Sequence, residues 1–373
     1  MPYPVNQPLI DGNELNYLKE CIETGWISSE GPFVERFERD VAAYVGRAHS
    51  VAVTSGTAAL HLAFDALRLP PGSEVIMPAF TIISCASALP ELGLVPVFVD
   101  VDENTFNTNV ELIEAAITPK TKAILVPHIY GLPVDLDPIL DLARRHGLKV
   151  IEDAAEAIGQ TYWGKQCGSF GDISIFSFYP NKHVTTGEGG MILADDPEII
   201  ARIRFMRNLA FDSQRRYIHA ELGWNYRMTN LQAALGCAQM EKLPRNVELK
   251  RKIGAAYNNA LGDVEGLRLP IAQTDFAENI YWVYAVVLED TINADASQVM
   301  AALGKHGVGT RHFFYPLHMQ PALINRYPSL ATQRLPNSEK LAERGFYVPS
   351  GLGMNLNDIP EISQIIKDVI REF

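Results

Sequence analysis

The sequence predicts an α/β fold, a mostly parallel sheet sandwiched by helices, joined to a smaller α+β C-terminal domain. Three observations predict it. Between His49 and Asp196, short β-branched runs alternate with helical patterns in the order of βαβ units. Beyond Asp196 the strands thin out and helical patterns take over. A length of 373 residues also exceeds one compact core of usual size, so a large domain with a smaller companion is expected.

Taken in order, "HSVAVTS" precedes "GTAALHLAFDAL", "SEVIMPA" precedes "TIISCASALPELG", and "VPVFVDVD" precedes "NVELIEAAI". Each pair is a strand run followed by apolar residues at helical spacing. "KAILVPHIYG", the helix "LDPILDLARRHG" and the strand "KVIED" continue the pattern, which places ligands at the C-terminal ends of the strands. The strands "DISIFSFY" and "GGMILADD" lead to the helix "PEIIARIRFMRN". A long helical region from about Thr229 to Leu261 then opens a tail holding "YWVYAVVLED", the helix "ASQVMAALGKHG", the strand "VGTRHFFYP" and a last helix from about Ile359. The boundary is placed near residue 245, with a large domain over 1–245 and a small one over 246–373.

Composition excludes several classes of function. With 47% hydrophobic and 20% charged residues, the chain can bury a core and has no bias toward disorder. No basic stretch followed by an apolar run opens the sequence, and no stretch of about 18 residues lacks charges, so secretion and membrane spanning are not expected. Cys21, Cys85, Cys167 and Cys237 are far apart and form no C-x-x-C pair, which suggests neither a metal site nor a disulfide framework and fits a reducing cytoplasm. A formal net charge of −12, with no basic run longer than "KRK", argues against nucleic acid as a partner.

Three segments carry chemistry. "TSGTAAL" follows a strand and opens a helix, so its free N–H groups and hydroxyls can cradle a phosphate, although Ser or Thr starts many helices without doing so. "IEDAAEAIG" puts Asp153 at the end of a buried strand, where a carboxylate needs a partner or serves as a helix cap. Lys182 follows the apolar strand "DISIFSFY" and precedes a Gly-rich turn; alone, it would read as a solvated loop residue. The combination, in this order within one α/β domain, is the layout for pyridoxal phosphate. That cofactor needs an amine for its aldehyde, an anion for its pyridine nitrogen and a helix end for its phosphate.

At this point the chain resembles the fold-type I sugar aminotransferases of the DegT/DnrJ/EryC1/StrS family. The matching pieces span nearly the whole chain: "TGWISSEGPFVERFE", "SGTAALHLA", "EDAAEAIG", "GSFGDISIFSFYPNKHVTTGEGGM", "GWNYRMTNLQAALG" and "FFYPLH". The resemblance implies Lys182 as the Schiff-base lysine and Asp153 as partner of the pyridine nitrogen. It implies Gly56, Thr57 and Ser177 at the phosphate and Glu156 near the ring hydroxyl. An asparagine matching Asn225 reaches the neighbouring subunit's site in the family, so a homodimer with shared sites is implied. Relatives often place an aromatic ring against the pyridine face where this chain has Ile82; Phe80 could substitute by a shift in register.

The resemblance further implies L-glutamate as donor, pyridoxamine phosphate as the intermediate cofactor form and a nucleotide-linked keto sugar as acceptor. The members most similar act on GDP-4-keto-6-deoxy-D-mannose and form GDP-perosamine for surface polysaccharide such as lipopolysaccharide O-antigen. The nucleotide is expected near Trp26, Ser28, Ser29, Tyr315 and His318, each of which also reads as a packing or structural residue. UDP- and dTDP-linked keto sugars stay open as alternatives. Some relatives carry histidine at the position of Lys182, followed by a second histidine, and deoxygenate the sugar. Lys182 therefore separates this chain from those dehydratases and leaves His183 a secondary place beside the substrate. A non-catalytic ligand sensor is the remaining alternative, opposed by the acidic balance and the lack of room for a DNA-reading domain before Tyr17.

Overall fold

The computed structural model describes residues 2–212 and 215–373. Seven strands form the large sheet: β1 His49–Val53, β2 Glu74–Pro78, β3 Val95–Val99, β4 Thr121–Pro127, β5 Lys149–Asp153, β6 Ile173–Ser177 and β7 Gly190–Ala194. Their spatial order is β1-β7-β6-β5-β4-β2-β3. All neighbours pair in parallel except β7, which runs antiparallel to both β1 and β6. The predicted mostly parallel sheet is thus present with one reversed strand. Its strands are buried along most of their length because helices cover both faces, and two apolar clusters fill the two layers.

Helix Pro32–Val45 shows why these segments fold as they do. Phe33, Val34, Phe37, Val41 and Val45 recur at helical spacing and are all buried, Pro32 occupies the first turn, and Gly46 closes the helix at φ 83°. This helix and Glu14–Thr24 precede β1 and pack on helix Asn230–Met240. The expected helix over Thr81–Gly93 shrinks to Ser84–Ser87, because Pro90 cannot continue a helix and Ile82 and Ile83 face outward. The long helical region divides into Asn230–Met240 and Leu243–Leu261. Thr229 and Gln232 form a capping box at the first start, and Pro244 sits in the first turn of the second.

Residue 245, where the boundary was expected, lies three residues into helix Leu243–Leu261. Beyond that helix a second, wholly antiparallel sheet has the order β8-β9-β11-β10, from Leu267–Arg268, Tyr284–Leu288, Arg311–His312 and Gly345–Val348 in chain order. Helices Ala296–Lys305 and Ile359–Ile370 pack on it around a third apolar cluster. Residues 3–7 join this region rather than the large sheet. Tyr3 exchanges backbone hydrogen bonds with Gly307 and Gly309 at 3.2 and 2.8 Å, Ser350 N–H donates to the Val5 carbonyl at 3.3 Å, and Gly353 N–H to that of Gln7 at 2.8 Å. No helix among the described residues is long and apolar enough to cross a membrane.

Candidate active site

Four strand ends meet at one cavity of about 520 Å³. β1 leads into Ser55 and Gly56, β4 into His128, β5 ends on Asp153 and β6 on Ser177. The small sheet closes the opposite side with Trp282, Arg311, His312 and Tyr347.

The cradle comes first. Ser55 caps helix Gly56–Ala66, its Oγ accepting the N–H of Ala58 at 3.1 Å. The N–H groups of Gly56 and Thr57 lie in the first turn, where a helix leaves its donors without partners and concentrates positive dipole charge. The hydroxyls of Thr57 and Ser84 stand 2.8 Å apart at the same rim. Two glycines permit the close approach. A Cβ on Gly56 would lie 2.9 Å from the Cβ of Ser177, and one on Gly190, which pairs with both Val53 and Ser177, would lie 2.4 Å from the Ser55 carbonyl oxygen.

The buried titratable groups face one another across the cavity floor. Asp153 is buried; its Oδ1 accepts the Ala155 N–H at 3.1 Å and its Oδ2 accepts the thiol of Cys85 at 3.3 Å. Glu156 lies one turn on, with Oε2 accepting the Tyr130 N–H at 2.8 Å and Oε1 standing 3.9 Å from Nζ of Lys182. The same Nζ sits 3.7 Å from the centre of the Trp282 ring, whose indole N–H donates to the Asn181 carbonyl at 2.9 Å. A desolvated contact of this kind contributes about 2 kcal/mol.

Burial dominates the electrostatics. It pushes Asp153 up, against the pull of the Ala155 and Cys85 donors and the nearby Lys182 and His128. It pushes Glu156 up to about 8, opposed chiefly by Lys182. It pulls Lys182 down, opposed by the same two carboxyls. An amine held below its ordinary range, beside an acid held above its own, has a proton within reach and a lone pair available for reaction.

Of the residues singled out from sequence, Gly56, Thr57, Ile82, Asp153, Glu156, Ser177 and Lys182 all line this cavity. Ile82 does so half-exposed, whereas Phe80 is fully buried in an aromatic cluster with Phe106, Tyr130, Phe313 and Phe314, so no shift in register brings it to the site. Other residues are not brought there within one chain. Asn225 is exposed, its Oδ1 accepting Nε of Arg227 at 3.0 Å. Trp26 is half-exposed, and its carbonyl and that of Ser28 accept from the Asn230 side chain and backbone at 2.7 and 2.6 Å; Ser29 is on the same segment. Tyr315 is half-exposed outside the cavity. His318 is buried with Nε2 3.0 Å from Glu339, a structural contact. His183 points away from the cavity into the interior, with Nδ1 3.3 Å from the Ile158 carbonyl, so the place beside the substrate is corrected: burial takes its ring elsewhere.

Sequence reasoning missed Trp282, Cys85, Arg311 and His312. Trp282 and Arg311 sit inside runs that read as ordinary strand, and only the return of the small sheet over the large one reveals them. Cys85 had a signal only in its lone position after the strand "SEVIMPA".

The DegT/DnrJ/EryC1/StrS aminotransferase family matches residues 8–367. The chain is 42% identical over 369 residues to a GDP-perosamine synthase of Caulobacter vibrioides, and 37% identical over 367 residues to one of Vibrio cholerae, with 98% of each chain covered in both comparisons. The fold is similar to the crystal structure of an aminotransferase, TlmJ, from Streptoalloteichus hindustanus, with a TM-score of 0.92, 29% identity and 99% of each chain covered. Given a match over nearly its full length and a fold shared from end to end, the chain belongs to the DegT/DnrJ/EryC1/StrS aminotransferase family.

Proposed function

We propose that this protein moves the amino group of L-glutamate to the C4 carbonyl of GDP-4-keto-6-deoxy-D-mannose, making GDP-perosamine for a surface polysaccharide. The observation that carries the reading is the convergence of Lys182, Asp153 and the Gly56–Thr57–Ser177 cradle on one cavity, in a chain 42% identical to a GDP-perosamine synthase. The residues present fit pyridoxal phosphate: a helix start stripped of a Cβ, a buried carboxylate and a mostly covered amine are the three groups its phosphate, ring nitrogen and aldehyde require. When bound, the cofactor supplies a carbon that takes the amino group from one substrate and yields it to the other, and a ring that withdraws electrons.

The chain's own residues do the rest. The first-turn N–H groups of Gly56 and Thr57, with the Ser177 hydroxyl, bind the phosphate. Asp153 sits where burial disfavours its charge, so a protonated ring nitrogen beside it restores the anion and is held by it. Lys182, with its pKa lowered by burial, moves the proton at the substrate carbon. Glu156, neutral near pH 7, donates a hydrogen bond toward the ring hydroxyl. Ile82, half-exposed on the cavity wall, would give the ring an aliphatic face. Among nucleotide-linked 4-keto sugars offered with glutamate, mass spectrometry should find amino sugar from the GDP-linked one at least about tenfold faster than from the UDP- or dTDP-linked ones. Equal or faster turnover of another nucleotide would reject the acceptor.

We further infer a homodimer with shared sites, working in the cytoplasm. The supports are the exposed Asn225, which does not line its own cavity, the exposed Leu222 three residues before it, the exposed Trp26, and four free, buried cysteines that suit a reducing compartment. Mixing an inactive Lys182→Ala chain with an inactive Asn225→Ala chain should regain up to about a quarter of wild-type activity, the statistical yield of one intact site per mixed dimer. No recovery, with subunit exchange verified, would remove Asn225 from the partner's site.

A further inference from the structure

A second cavity of about 10 Å³, close to the least that holds one water, also borders Lys182. Asn181, Lys182, His183 and Lys250 line it together with residues 6–8, Pro180 and Leu352. Lys250 is buried without a carboxylate: two of its three donors go to the carbonyls of Trp282, at 3.0 Å, and Ser350. His183 is also buried. Its Nδ1 lies 3.3 Å from the Ile158 carbonyl and so carries the proton, which leaves Nε2 an acceptor; among the described residues Nε2 has no partner, and neither does the buried Oδ1 of Asn181. A buried acceptor without a donor is destabilising, because it has lost its water without gaining a partner.

We propose that one buried water bridges Lys250, His183 and Asn181, and that through it Lys250 is a positioning residue for Lys182. The count closes for these three residues, while the buried Oδ1 of the adjacent Asn246 stays without a partner among the described residues. The third Lys250 N–H donates to the water oxygen, one water O–H donates to His183 Nε2 and the other to Asn181 Oδ1. Both chain neighbours of Lys182 are then held by one cation. The same cation fixes Trp282 through its carbonyl, while the Trp282 indole N–H returns to the Asn181 carbonyl and the ring lies against Nζ of Lys182. Asn246 Nδ2 adds a bond to the His183 carbonyl at 3.2 Å. Burial alone pulls Lys250 down to about 7, yet the neutral amine would leave one of the two acceptors unpaired, so the bridged arrangement favours the ammonium.

The water itself does not depend on the reaction, whereas the positioning role rests on the proposed cofactor. A high-resolution crystal structure of the wild type should show one water peak within about 3.2 Å of Lys250 Nζ, His183 Nε2 and Asn181 Oδ1. No peak, or an Asn181 amide turned to place its nitrogen there, overturns the bridge. Lys250→Met should weaken capture of pyridoxal phosphate, read from its visible absorbance, by about tenfold or more. Affinity for pyridoxamine phosphate, which forms no bond to Lys182, should stay within about twofold. Equal losses for both forms, or none for either, overturn the positioning role. Should Lys250→Met not fold, His183→Leu removes the acceptor from the same cavity and must show the same split. If the wild type binds neither form, the proposed function fails while the crystal density still decides the bridge.

Discussion

Lys182→His should stop transamination, lowering turnover by at least about 10³-fold, because imidazole cannot form the covalent bond that a primary amine makes to an aldehyde. Pyridoxamine phosphate should still bind, since the cradle at Gly56, Thr57 and Ser177 makes no contact that the substitution removes. Sodium borohydride reduction followed by peptide mapping checks the assignment directly. Pyridoxyl label is expected on Lys182 in the wild type and nowhere in the variant. Label on another residue, or turnover that persists in Lys182→His, would overturn the reading of the site. His183→Asn is the internal contrast: it removes no group that bonds covalently to the cofactor, so at saturating pyridoxal phosphate the label should remain on Lys182 even where capture is weaker.

Asp153→Asn should leave the fold intact and lower kcat by about 10²–10³-fold. The amide keeps the volume and an oxygen for the Ala155 N–H, and burial already disfavours the carboxylate's charge, so stability has little to lose. The asparagine cannot hold a proton on the ring nitrogen, so electron withdrawal fails while packing survives. Steady-state kinetics beside a thermal melt separate the two effects, and a near-normal kcat would remove Asp153 from the mechanism.

Most of the large sheet was legible because its signals are local. β1 to β7 were each a short apolar run followed by a turn or helix start, and the residues at their C-terminal ends, Gly56, Asp153, Ser177 and Lys182, had only to be assumed on one edge for the cavity to assemble. Element lengths were less legible. The helix expected over Thr81–Gly93 had the right spacing, but it borders the cavity, and Ile82 serves that wall instead of a helical face. The small sheet's share was hidden because Trp282 lies a hundred residues beyond Lys182 and is brought back by pairing that no short window contains. His183 was misplaced for a related reason. Adjacency to Lys182 in sequence says nothing about which way a ring turns, and here burial turned it toward Lys250.

The docking of residues 3–7 on Gly307, Gly309, Ser350 and Gly353 bears on the order in which the molecule is made. Synthesis delivers those residues well before their hydrogen-bond partners, so the segment must wait, unpaired, while the chain between them is made. Contacts of such long sequence separation form late, because loop closure must precede any gain from them. All seven strands of the large sheet precede residue 195, but the apolar layers that cover it also need Ala233, Ala234 and Leu317. The site needs still more. Ser350, which bonds to Val5 through its N–H, also offers Lys250 its carbonyl, so the clasp beside the reactive lysine shuts only after Val5 and Ser350 have met. A nascent chain would therefore hold the strands of the cradle before it holds a finished catalyst.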